Sequence, residues 1–144
     1  MRSRVQARRR GVTLVELLTV VAVLAILSTI AVTAYRSHVV RANRTDATAT
    51  LLRIQVAQEK YFLQHNAYAD NVTVQLGFES DTTPQGLYKV TLSAASGSDL
   101  ATSYVATATA LGAQGTSDLQ CQTLTIDDRG QRGSNPGAAS TCWR

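Results

Sequence analysis

The chain has 144 residues, 44% of them hydrophobic and 17% charged, with a net charge of +4. That length holds one small domain with an N-terminal appendage and leaves no room for several large ones. The basic balance excludes less than it suggests, because Arg2, Arg4, Arg8, Arg9 and Arg10 all precede Gly11. Without those five arginines the net charge falls to about −1. The pI of about 9.4 therefore says little about nucleic acid as a partner. It fits a positive segment held on the cytoplasmic side of a membrane.

Residues 1–11 read as a basic leader, and residues 12–35 as an apolar helix. No charged side chain occurs from Leu17 to Tyr35. A secretory signal peptide would show a small-residue cleavage site after the apolar run, and none follows here. The processing point falls before the run, at Gly11, so the helix is retained. From Val12 to Tyr35 it would extend about 36 Å, enough to cross about 30 Å of hydrocarbon. A plain anchor leaves Glu16 unexplained, since a carboxylate in a membrane segment costs roughly 3 kcal/mol.

After Tyr35 the pattern turns amphipathic without a break. Ala47, Leu51, Ile54, Gln58 and Tyr61 recur at alternating steps of four and three and trace one face. Arg44, Thr48, Arg53, Gln55 and Lys60 are available for the other faces. Neither Pro nor Gly occurs from Val12 to His65, which predicts one continuous helix of about 80 Å. Asn66 to Gly86 reads as a connecting loop, punctuated by Asn, Asp, Gly and Pro. Strands are predicted over Leu87–Ala95, with Tyr88, Val90, Leu92 and Ala94 on one face, and over Thr102–Leu111, with Tyr104, Ala106, Ala108 and Ala110 on one face. Ser96-Gly97-Ser98-Asp99 forms the hairpin between them. A third strand spans Cys121–Asp127 and places Leu124 beside Ile126. The fold class is α+β: three or four antiparallel strands packed on one long helix, with residues 36–144 as the head domain. Asp128–Arg144 reads as a polar loop.

Cys121 and Cys142 have no CxxC spacing and no His cluster, so a zinc site is not expected. In a domain held outside the cytoplasm a disulfide is the natural reading, with two buried thiols as its alternative. It would close a loop of roughly 20 residues, worth on the order of 3 kcal/mol. No enzyme is expected: a nucleophile elbow, a phosphate-cradling Gly loop and HExxH are all missing. Asp127-Asp128 reads as a solvated strand end, so neither metal nor cofactor is assigned. The sequons at Asn43 and Asn71 read as coincidental.

The leader, Gly11, the run Val12-Thr13-Leu14-Val15-Glu16 and the uncharged helix together resemble the class III prepilin signal of the type IV pilin family. The resemblance continues through TAYRSHVVRANRTDATATLLRIQVAQEKYFLQHNAYAD and through CQTLTIDDRGQRGS with the final Cys142-Trp143, which look like minor pilins of the PilE type. It implies the type IV pilin fold and cleavage between Gly11 and Val12 by a prepilin peptidase that also N-methylates Val12. It implies that Glu16 pairs with the N-terminal amine of a neighbouring subunit in a helical filament. The precursor would sit in the inner membrane with its head periplasmic, then pass to a cell-surface pilus serving adhesion and twitching motility. The family's disulfide-bounded region maps onto Cys121 through Cys142. Val12 stands where the family usually has Phe. Ala25 and Thr33 replace the helix-loosening Gly and Pro of major pilins, so extensive melting of this helix is not expected. A secretion-system pseudopilin ranks behind a pilus, because major pseudopilins typically carry a calcium loop where this chain has its cysteines. Some related small pilins receive DNA during natural transformation. Arg129, Arg132 and Arg144, with Trp143 as a stacking surface, are the candidates for that role. It ranks below solvated arginines and a Trp packed beside the disulfide.

Overall fold

A computed structural model describes residues 11–144 of the chain; residues 1–10, which carry most of the leader, lie outside that range. Helix α1 runs unbroken over Leu14–His65, 52 residues. Its start is capped: the Thr13 hydroxyl accepts the Glu16 N–H at 3.2 Å. Thr13-x-x-Glu16 is the sequence of a capping box, in which a short oxygen side chain satisfies an otherwise orphaned helix N–H. The helix stops at Asn66, whose φ of 52° puts it in the left-handed conformation that commonly ends helices.

The chain divides into two compact units, one ending at Ser37 and one spanning His38–Arg144. In the first, every residue from Gly11 to Ser37 is exposed. Beyond Glu16 its serine and threonine hydroxyls turn inward on the backbone. Thr19 donates to the Glu16 carbonyl at 2.8 Å, Ser28 to Leu24 at 2.7 Å, Thr29 to Ile26 at 2.7 Å and Thr33 to Thr29 at 3.1 Å. Such back-bonding spends each hydroxyl within the helix. Residues 17–34 can then face hydrocarbon with their side-chain polar groups satisfied.

The second unit is the last part of α1 with a four-stranded antiparallel sheet in the order β1-β2-β3-β4. The strands are β1 (Tyr88–Ser93), β2 (Val105–Ala110), β3 (Cys121–Asp127) and β4 (Arg132–Pro136). Two short helices follow β2 and β4: α2 (Gly112–Ser117) and α3 (Ala139–Cys142). Register aligns Val90 with Ala108 and Leu124, and Leu92 with Ala106 and Ile126. Those rows form the inner face and join Ala47, Leu51, Ile54 and Tyr104 in one core cluster. Gln58, on the same helix face and fully buried, bonds Ala69 reciprocally. Its amide donates to the Ala69 carbonyl at 2.9 Å and its oxygen accepts the Ala69 N–H at 2.8 Å. A buried amide is tolerable only when paired in this way.

Two expectations need correction, and one short helix goes beyond them. Asp128–Arg144 is not a loop, because it contains β4 and α3. Its sequence RGSNP has no apolar alternation, since an edge strand takes its order from pairing with β3 rather than from a buried face. Helix α2 had no signal, being six residues of small and polar type. Arg44 lies on the buried face, with consequences set out below.

Both sheet edges are modified. Along β1, Val90 N–H donates to the Asp81 carbonyl at 2.6 Å and Thr83 N–H to the Tyr88 carbonyl at 2.9 Å, so residues 81–83 lie against its first half. On β4, the register shifts between Cys121 and Thr123, and Pro136 stands opposite Cys121. The indole N–H of Trp143 donates to the Gly133 carbonyl at 2.8 Å. Gly137 sits so close to β3 that a Cβ there would meet the Gln120 carbonyl oxygen at 2.5 Å.

Candidate functional site

Two regions carry the candidate residues, and each is described by itself. In the first, Gly11 and Val12 precede α1, and the Val12 residue is 72% exposed. Glu16 occupies the first turn of α1. There its negative charge complements the helix N-terminus. Among the described residues its carboxylate meets no cation. Around it Leu14, Val15, Leu17 and Leu18 are 74%, 67%, 59% and 60% exposed, so the segment offers a long apolar surface and one unspent carboxylate. Thr13, the cap, was not singled out in the sequence, although Thr13-x-x-Glu16 before an apolar run is a readable signal.

In the second region Cys121, at the start of β3, and Cys142, on α3, form a disulfide with a Cα–Cα distance of 5.6 Å. Both are fully buried. Beside them Arg44 grips Asp118 with two parallel bonds, Nε to Oδ2 at 2.7 Å and Nη2 to Oδ1 at 2.9 Å. Its remaining Nη1 donates to the Thr141 carbonyl at 3.3 Å. The side chains of Arg44 and Asp118 are only 8% and 2% exposed. Gln114 completes the junction: its amide donates to the Tyr88 hydroxyl at 3.0 Å and the Val40 carbonyl at 3.1 Å, while its oxygen accepts from Asn43 at 3.0 Å. Burial pushes the Tyr88 phenol above its usual range, and the Gln114 bond pulls partly the other way. One buried polar network thus joins the second part of α1 to β1, α2 and α3.

The periodicity did contain Arg44. It stands three residues before Ala47, on the stripe 44-47-51-54-58, all of which is buried. Its charge argues for solvent unless a buried acid awaits it, and Asp118 is 74 residues away in sequence.

Of the four residues considered for nucleic acid, the structure brings two together. The Arg132 guanidinium lies over the Trp143 ring, 5.0 Å from its centroid. The ring is half-buried and is covered on that side by arginine. Arg129 sits in the β3–β4 turn, its Nε 3.9 Å from Asp128. That turn is organised by Asp127, whose Oδ1 accepts the N–H groups of Arg129 and Gln131 at 3.0 and 2.7 Å. Arg144 is exposed. Among the described residues no three His, Cys, Asp or Glu side chains converge as metal ligands would.

An exposed apolar helix with a lone carboxylate in its first turn, in a chain with a compact helix-on-sheet unit, is the build of a filament subunit. Residues 6–32 match the family model described as "Prokaryotic N-terminal methylation motif". Residues 33–125, more than half of the chain, match the model described as "Type IV minor pilin ComP, DNA uptake sequence receptor". The chain belongs to the type IV minor pilin family. It is 34% identical over 92 residues to the type IV major pilin protein PilA of Myxococcus xanthus, covering 64% of this chain and 41% of that protein. It is 28% identical over 126 residues to a fimbrial protein of Neisseria meningitidis, covering 88% of this chain and 69% of that one. The chain thus spans about two fifths of the length of the first relative and about two thirds of the second. A solved type IV pilin from Shewanella oneidensis is similar at 21% identity and a TM-score of 0.49, covering 73% of this chain and 98% of that one.

Proposed function

We propose that this chain is a minor subunit that enters, or primes, a type IV pilus after removal of residues 1–11. The precursor is held in the inner membrane by its apolar helix, with residues 38–144 on the periplasmic side. A prepilin peptidase cuts between Gly11 and Val12, and the new Val12 amine is methylated. Glu16 then pairs with the amine of a neighbouring subunit. The observation that carries this reading is the exposed apolar segment with one unpartnered carboxylate, Glu16. An α-amine with a pKa near 8 is mostly cationic at neutral pH. Bringing it to Glu16 in an apolar filament core removes two otherwise unpaired ions. Adhesion and twitching motility are the activities such a pilus would support. Glu16→Ala is expected to leave processing intact but abolish incorporation into surface fibres. Immunoblots of sheared fibres and mass spectrometry of the N-terminus check both points. Normal incorporation, or an N-terminus other than methylated Val12, overturns the proposal.

A second reading, reception of DNA, is favoured by the description of the family that matches residues 33–125 and by the Arg132–Trp143 pair. That pair and Arg129 lie beyond the matched segment. Guanidinium groups neutralise phosphates with a steep salt dependence. On this reading the full chain retards duplex DNA at low salt, and Arg132→Ala weakens the retardation. Unaltered DNA mobility at low salt rejects it.

A further inference from the structure

Cys121 and Cys142 are tied together by a side chain of α1 as well as by their own sulfurs. The Arg44 guanidinium holds the Asp118 carboxylate by two bonds and reaches the Thr141 carbonyl with its remaining nitrogen. Each of these acceptors belongs to a residue joined directly to a cysteine. The Cys121 N–H donates to the Asp118 carbonyl at 3.2 Å, and Thr141 precedes Cys142 in the chain. A planar guanidinium, with its donors in a fixed fork, serves both acceptors at once. The path Cys121–Asp118–Arg44–Thr141–Cys142 closes the same ring as the S–S bond and uses neither sulfur.

Further contacts seat the same segment. The residue after Cys142 is held by its indole, which donates to the Gly133 carbonyl at 2.8 Å. The Gly137 N–H donates to the Gln120 carbonyl at 2.7 Å, beside Cys121. A Cβ at Gly137 would meet that oxygen at 2.5 Å and the Cys142 sulfur at 3.3 Å, so a bare residue is needed for the close approach. The Cys142 sulfur lies 3.6 Å from the same carbonyl, an acceptor ready for the S–H of a reduced thiol. The contacts on either side of Cys142 therefore do not depend on the S–S bond. A disulfide stabilises mainly by constraining the unfolded chain, which leaves the folded placement of its cysteines to contacts such as these.

We propose that residues 133–144 form a strap that docks before its disulfide closes, with Arg44 as the positioning residue that brings the two thiols together. Closure then proceeds by exchange with a small-molecule disulfide such as glutathione disulfide. Cys121 and Cys142 give up two electrons and form one S–S bond. The oxidant's S–S bond breaks, and its two sulfurs leave as thiols carrying the two protons. Arg44 takes no part in the exchange; it raises the effective concentration of one thiol at the other. The His38–Arg144 unit keeps its shape with the disulfide open.

The test equilibrates the full chain, in detergent, with reduced glutathione and glutathione disulfide at a series of ratios. The fraction oxidised, read by mass spectrometry after thiol alkylation, gives the effective concentration. Arg44→Met/Asp118→Leu removes the Thr141 tie without stranding an ion and is expected to lower that value about tenfold. Trp143→Phe, which changes no charge and drops the Gly133 bond, should lower it about fivefold. Val90→Ala truncates the core on β1, which β2 separates from β3, and should leave the value as in the native chain. A merely structural role for Arg44 would move the Arg44 and Val90 variants alike. Hydrogen exchange of the reduced native chain should keep residues 133–144 protected. An unprotected strap beside a protected β1–β3 overturns the proposal, because the S–S bond would then be what holds it. So does a native value in Arg44→Met/Asp118→Leu or in Trp143→Phe, or an equal fall in Val90→Ala. Should the double variant fail to fold, Trp143→Phe and the exchange experiment decide the outcome.

Discussion

Arg44→Ala is expected to destabilise the His38–Arg144 unit by about 3–5 kcal/mol, the usual effect of removing one member of a buried ion pair. The cause is the partner left behind. The Asp118 side chain is 2% exposed and loses both guanidinium bonds at once. Asp118→Ala should cost a similar amount, because it strands the guanidinium instead. Removing both charges with Arg44→Met/Asp118→Leu should cost far less than either single change, since no uncompensated ion remains. Denaturant titration followed by Trp143 fluorescence reads all three variants, as the chain contains one Trp. Single variants that unfold at the native midpoint would show that the pair contributes little.

The second large effect is expected from Cys121→Ala/Cys142→Ala. Opening a loop with a sequence separation of 21 should cost about 3 kcal/mol, and the same titration measures it. The two predictions are coupled. Arg44 donates to the carbonyl of Thr141, the residue beside Cys142. Groups that share a segment do not act independently. Combining Arg44→Ala with loss of the disulfide should therefore cost less than the two effects added.

Much of the architecture was readable because it rests on periodic burial. Ala47, Leu51, Ile54 and Gln58 repeat with the helix, and Tyr88 and Val90, Ala106 and Ala108, and Leu124 and Ile126 repeat with the strand. All of them lie in the core or at its edge. The prepilin-like N-terminus was readable for another reason, since its order of charge, Gly and apolar run is linear in the chain. What escaped notice depends on partners far apart. Arg44 belongs to the buried stripe but looks solvated until Asp118 is placed opposite it. Strand β4 has no apolar repeat of its own.

The trimmed ends of the sheet matter once many copies stand shoulder to shoulder. An open strand edge invites a second chain to add to it, and crowding raises that risk. Residues 81–83 occupy half of one edge. The other edge carries a register shift and Pro136, and the Trp143 indole holds the Gly133 carbonyl. In the fibre proposed above, subunits would then pack side by side without zipping their sheets into an aggregate.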